Sequence, residues 1–198
     1  MSRPGIADWR ALARDERGST LLEFGLIAPT FLILLLGCAN LGQMLYGKVL
    51  LNGAIEAAAR SSSTENRDTT AADTMVRKIV GPILPGASYT ISRFSYYDYT
   101  DVGRMEKFTD GNGNGTCDNG EPYIDENGTG GWDNVRRSGQ GGADDVVVYK
   151  VVTQYSPLFK IPLMPGQWQR ITLTSQTVKK NQPFATQANY STLTGNCP

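Results

Sequence analysis

Apolar side chains are spread unevenly along this chain. Residues 24–47 give 24 consecutive positions without a charge, 16 of them apolar, with an unbroken apolar run at 31–36. The hydrocarbon core of a bilayer is spanned by roughly 20 such residues in a helix, so this segment predicts one membrane crossing. The apolar core of a secretory signal is shorter, roughly 7–15 residues. Here the run continues through Met44, Leu45, Tyr46, Val49, Leu50 and Leu51 into the alanine-rich stretch 54–59. One helix over about 20–60 is expected. At ~1.5 Å per residue it would be about 60 Å long and would project well beyond the lipid. Pro29 removes one of its main-chain hydrogen bonds and is expected to kink it.

After Arg60 the pattern changes. Residues 61–70 are polar and read as a break. Asp68 is placed to cap a short helix over 70–80, in which Ala71, Ala72, Met75, Val76, Ile79 and Val80 recur at helical spacing; Gly81-Pro82 ends it. Three stretches rich in β-branched and aromatic residues predict strands, at 88–99, 145–155 and 169–179, and the last alternates cleanly. The connection 157–166 holds three prolines and suits a long hairpin link. The fold class is therefore α+β: a long N-terminal membrane helix, then a small antiparallel-sheet head. Tyr96, Tyr97 and Tyr99 read as half-buried packing on that sheet.

Charge narrows the possible functions. Lys+Arg and Asp+Glu each number 19, and there is no His. Every imidazole-based triad, base or metal site is excluded. Zero net charge argues against a nucleic-acid partner, which needs a basic surface. The mean hydropathy of −0.30 resembles that of a soluble protein only because it averages over the apolar segment. Arg3, Arg10, Arg14 and Arg17 precede that segment, and only Lys48 follows it before Arg60. This asymmetry predicts a cytoplasmic N-terminus and an external C-terminal domain.

A second compositional island lies inside the head, the acidic, Gly-rich stretch 110–142. No basic residue occurs between Lys107 and Arg136, whereas Asp110, Asp118, Glu121, Asp125, Glu126 and Asp133 supply six acids. The spacing Asp110-x-Asn112-x-Asn114-Gly115-x5-Glu121 matches positions 1, 3, 5, 6 and 12 of the EF-hand calcium loop. Asp118 stands at position 9, and the Thr116 carbonyl would serve at position 7. Asp125, Asn127, Thr129, Gly130 and Asp133 repeat the pattern 15 residues later, but position 12 is Arg136. Glu121 or Glu126 is a candidate to bridge to this second loop. Neither loop is flanked by amphipathic helices, so calcium-binding-like loops inserted in the head are expected. Ca2+ is the expected ion and its role structural, ordering a self-repelling loop. Magnesium, with its stricter octahedral demand, fits less well.

Cys38 lies in the apolar run and reads as a small buried hydrophobe. Cys117 and Cys197, both in the external part, are candidates for a disulfide closing a loop of about 80 residues. Asp144-Asp145 reads as solvated charge at a strand edge, and Gly139-x-Gly141-Gly142 lacks the strand and helix of a dinucleotide fingerprint. No nucleophile with a plausible base appears, and no enzymatic activity is expected.

Glu23 is an anomaly at the edge of the apolar run, where a carboxylate is costly without a cation. The string Arg17-Gly18-Ser19-Thr20-Leu21-Leu22-Glu23-Phe24 resembles the processing site of type IV prepilins. Residues 17–32, the pattern Gly42, Tyr46 and Ala58-Ala59-Arg60, and Lys180-Asn181-Gln182-Pro183-Phe184 are similar to TadE/TadG-like minor pseudopilins of the bacterial Tad (Flp) pilus system. In the last motif Gln182 replaces the Glu frequent in relatives. The resemblance implies a leader over 1–18 that a prepilin peptidase removes between Gly18 and Ser19. It further implies a transmembrane and assembly helix over 19–60, with Glu23, beside Phe24, pairing with the N-terminal amine of a neighbouring subunit. The external domain would be 61–198. The implied partners are the membrane, the peptidase and other pilin and pseudopilin subunits. The implied location is the bacterial inner membrane, single-pass, with the head periplasmic or extracellular and the subunit taking part in pilus initiation or at its tip. Two rivals stand beside this reading. One is a permanently membrane-anchored calcium-dependent adhesin or binding module, and the other a membrane-tethered hydrolase using the acidic loop.

Overall fold

The computed structural model describes residues 19–64, 68–160 and 165–198. The leader, including Gly18, lies outside the described residues. Helix α1 (Ser19–Ser62) is continuous, with Pro29 inside it. It is followed by α2 (Thr69–Val80), whose Asp68 cap accepts the main-chain N–H of Ala71 at 2.8 Å. The strands are β1 (Ser88–Tyr96), β2 (Pro122–Asp125), β3 (Arg137–Ser138), β4 (Val146–Tyr155), β5 (Ile171–Lys180) and β6 (Leu193–Asn196). The architecture is α+β. A four-stranded antiparallel sheet runs in the order β3-β1-β4-β5, and β2 pairs with β6 in a separate ribbon.

Register places Ile91 opposite Val151, Tyr149 opposite Thr177 and Thr153 opposite Leu173. The odd-numbered residues of β4 and β5 therefore share one face, and both helices cover it. Leu51, Ala54, Ile55, Ala58 and Ala59 of α1 meet Ala72, Val76 and Val80 of α2, with Leu84, Tyr149, Val151, Tyr155 and Leu173 beneath. The alanines matter here because a helix approaches a sheet closely only where its side chains are small. Arg93 ion-pairs with Asp73 of α2 and stacks on the Tyr149 ring at 4.3 Å, while the Tyr149 hydroxyl donates to Asp73 at 2.7 Å. This triple contact fixes α2 on the sheet.

Beside the apolar core runs a polar seam. Lys48, Asn52 and Glu56 lie four apart on α1, so they share a face. Lys48 donates to the Thr174 carbonyl, Ser175 donates to Asn52 at 2.6 Å, and Thr177 donates to Glu56, which also pairs with Lys179 at 2.9 Å. Below the seam Gln43 donates to the Ile83 carbonyl at 2.8 Å, and Asn40 pairs with the main chain of Phe159.

The structure departs from the sequence expectations at several points. The first strand stops at Tyr96, because Asp98 accepts the N–H of Tyr99 and turns the chain into a 3-10 turn. Tyr96 is buried, Tyr97 stacks under Arg137, and Tyr99 is exposed. Cys38 is exposed on α1, not buried. Asp145 is no solvated edge charge. It is fully buried, and its carboxylate accepts from Arg137 at 2.7 Å and from Gln187 at 2.9 Å. Asn181, the Asn of the C-terminal motif, is equally interior. It donates to the carbonyls of Gln140 and Gly142, and Gln182 donates to Ser63 O, so the motif latches the end of α1 to the head.

Candidate metal-binding loops and the assembly helix

Loop one, 110–121, is organised around Asp110. One carboxylate oxygen accepts the N–H groups of Gly113 (2.6 Å) and Asn114 (3.2 Å), and the other accepts that of Gly115 (2.7 Å). Asn112 accepts from Asn114 N–H and Asn114 from Thr116 N–H, which makes a chain of Asx turns. Gly113 and Gly115 both have φ 77, a conformation glycine adopts without strain. These N–H groups, Gly115 foremost, hold the Asp110 carboxyl below its ordinary value of 3.8. Glu121 closes the loop. Oε1 accepts from Gly111 at 2.8 Å and Oε2 from Asp118 at 3.0 Å.

Loop two, 125–136, repeats this geometry almost bond for bond. Asp125 accepts from Gly128 (2.7 Å), Thr129 (3.0 Å) and Gly130 (2.8 Å), and Asn127 accepts from Thr129. Gly128 and Gly130 again have positive φ. The closing carboxylate comes from outside the loop. Glu106 Oε1 accepts from Glu126 at 2.8 Å and from Asn127 at 3.2 Å, and its Oε2 accepts from Asp133 at 3.3 Å. Those donors sit at positions 2, 3 and 9, and positions 2 and 9 are the two that Glu121 serves in loop one. The sequence candidates for this place have other partners: Glu121 closes its own loop, and Glu126 is held bidentately by Arg104 at 3.0 and 2.6 Å. Arg136, at position 12, lies over the Phe94 ring.

Glu106 reaches loop two because segment 105–109 runs between β2 and loop two. Its main chain pairs with Asp133 on one side and through Lys107 and Thr109 with Ile124 and Pro122 on the other. The indole of Trp132 donates to the Glu106 carbonyl at 3.1 Å, and Phe108 meets Trp132 edge-on at 5.7 Å. Glu106 is 2% exposed. Burial raises its carboxyl above the ordinary 4.5, against the pull of the three N–H groups. Arg104 does the opposite to Glu126, whose carboxyl it lowers.

The chain's end seals the loops. β6 pairs with β2, Cys197 N–H donates to Glu121 O at 2.9 Å, and Cys117 and Cys197 are joined in a disulfide with their Cα atoms 5.6 Å apart. Gly195 lies against Tyr123 so closely that a methyl group there would sit 2.5 Å from the ring.

The donor sets are mixed. Among the described residues, no three Cys, Asp or Glu side chains gather tightly enough to hold a metal by themselves. A cation in either loop would also draw on Asn, Thr and main-chain oxygens. Asn112 and Asn114 turn their amide nitrogens toward Asp118, at 2.7 and 2.6 Å, and Asn127 does the same toward Asp133 at 2.7 Å.

A polar cleft of about 620 Å³ lies beside the seam between α1 and β5, lined by Lys48, Asn52, Glu56, Lys150 and Ser175 among others. Lys48, Asn52, Glu56 and Ser175 are already engaged across that seam.

At the other end of the molecule, Glu23 and Phe24 sit in the first turns of α1 on exposed surface. Among the described residues one helix, α1, is long and apolar enough to cross a membrane, with a mean hydropathy of 2.2 over its most apolar window. Residues 18–60 match the family model described as TadE-like protein. The matched stretch is Gly18 and α1 as far as Arg60, and α2 and the strands lie beyond it. No curated protein and no solved structure matches the chain.

Proposed function

We propose that the protein is a minor pseudopilin of a Tad-type pilus, a structural and assembly component of the bacterial inner membrane that takes part in pilus initiation or at its tip. The observation that carries this reading is the coincidence of the TadE-like match with a helix exposed and apolar over its first half. In this reading a prepilin peptidase cuts between Gly18 and Ser19. The new amine of one subunit then meets Glu23 of another, because a carboxylate at the lipid edge favours the assembled state that supplies a cation.

The head is read as calcium-stabilised. Loop one would use Asp110, Asn112, Asn114, the Thr116 carbonyl, Asp118 and Glu121. Loop two would use Asp125, Asn127, Thr129, Asp133 and, as its closing carboxylate, Glu106. Six to eight hard oxygens suit calcium, and both loops offer that number once the Asn amides swing their oxygens inward. The ion would neutralise carboxylates that otherwise repel one another.

The experiment is the intact mass and N-terminal sequence of the membrane-extracted protein, from cells with and without the prepilin peptidase. A chain beginning at Ser19 only where the peptidase is present supports the reading. A leader retained in both strains would overturn it in favour of a permanently anchored binding module.

A further inference from the structure

We propose that the connection between β4 and β5 is a second membrane-contacting element, seating Leu158 and Phe159 in the bilayer interface beside α1. The proposal rests on reading α1 as the membrane span.

The level of this connection along α1 is fixed by hydrogen bonds. The Asn40 amide donates to the Phe159 carbonyl at 2.8 Å and accepts the Phe159 N–H at 3.2 Å, and Gln43 accepts the Leu158 N–H at 3.3 Å. Gln43 is the first buried residue of α1 among those described. From Phe24, the first residue after Glu23, to Gln43 there are 20 positions, about 30 Å of helix, which equals the usual thickness of the hydrocarbon core. Asn40 and Gln43 therefore stand in the last turn before hydrocarbon gives way to headgroups, and Leu158 and Phe159 stand with them.

Their surfaces suit that place. Leu158 is 58% exposed and Phe159 43%, a paired apolar patch within a turn or so of the exposed Leu41 and Leu45 of the helix. Lys160 follows, exposed, as a cation able to reach phosphate headgroups.

The polar groups fit as well. Non-helical backbone is costly in an apolar medium because its N–H and C=O groups lose water. Here the Leu158 N–H and both polar groups of Phe159 are met by side-chain amides of the helix. This also accounts for a strongly polar residue, Asn40, inside an uncharged 24-residue run.

The test uses the full-length protein in vesicles of equal parts phosphatidylcholine and phosphatidylglycerol. Cys38→Ala removes the free thiol, and Leu158→Cys carries a nitroxide. Labels at Leu34→Cys and Thr90→Cys serve as references for lipid and water. Collisions with oxygen and with a water-soluble nickel chelate are then compared. The expected result is nickel access at Leu158 several-fold below that at Thr90, with oxygen access close to that at Leu34. Nickel access equal to that at Thr90 overturns the proposal while Leu34 stays in lipid. Exclusion of both reagents, with spin–spin broadening that grows with protein density, also overturns it and assigns the patch to a second copy. If Leu34 is itself open to nickel, the membrane span fails and the proposal falls with it.

Discussion

Glu106 accepts the main-chain N–H of Asp133 at 3.3 Å across 27 positions of sequence, and in doing so occupies the place that Glu121 holds toward Asp118 in the neighbouring loop. The two loops are thus equivalent at the level of hydrogen bonds and unequal at the level of motif. One carries its closing carboxylate within its twelve residues, and the other borrows it from the segment that precedes loop one.

Two calcium ions per chain are therefore expected by titration calorimetry on the disulfide-intact protein. Glu121→Gln should abolish one site and Glu106→Gln the other, each leaving the remaining loop able to bind. Retention of both sites in Glu106→Gln would remove Glu106 from the metal shell and return loop two to a plain turn.

The acidic groups should respond to pH in opposite directions. Asp110, lowered by the N–H groups of Gly115, Gly113 and Asn114, stabilises the fold above the ordinary carboxylate range. Its contribution is lost as pH falls through the lowered value. Glu106, raised by burial, is better tolerated protonated. Its contribution is present below the ordinary 4.5 and is lost as pH rises through the raised value. Carboxyl-carbon NMR in chelator should show Asp110 titrating below 3.8 and Glu106 above 4.5. Calcium should then pull the Glu106 midpoint down, because a cation favours the charged form. A Glu106 midpoint indifferent to calcium would count against binding in loop two.

The disulfide ties the chain end to loop one across a sequence separation of 80. By the chain-entropy estimate its loss costs about 4 kcal/mol. Cys197→Ser should lower the urea midpoint accordingly and free the β2–β6 ribbon. Hydrogen exchange at Tyr123 and at position 197 should accelerate well before exchange in β4. Uniform acceleration across both sheets would show instead that the ribbon and the main sheet unfold as one unit.

Much of the architecture was legible in the residues themselves. The bounds of α1 follow from a charge-free run that continues into alanines. Those of α2 follow from Asp68 and Gly81, and β4 and β5 from alternating β-branched positions. The loops were legible because Asp110 and Asp125 sit at fixed offsets from their glycines. What escaped has a common cause, which is dependence on partners far away in sequence. β2 and β6 have four residues each, too few for a periodicity to register, and they exist because they pair. Glu106 belongs to no motif and gains its role only where segment 105–109 threads between β2 and loop two. Asp145 looked like surface charge because nothing local announces Arg137 or Gln187 as its partners.

The seam of Lys48, Asn52 and Glu56 along β5 has a mechanical corollary. The rod that carries the apolar surface is also a stave of the head's core, with no joint between the two roles. Rotation of the rod about its long axis acts directly on β5, and through β5 on the sheet paired with it. Torque applied to the rod is thereby passed to the sheet through side-chain bonds and not through a linker.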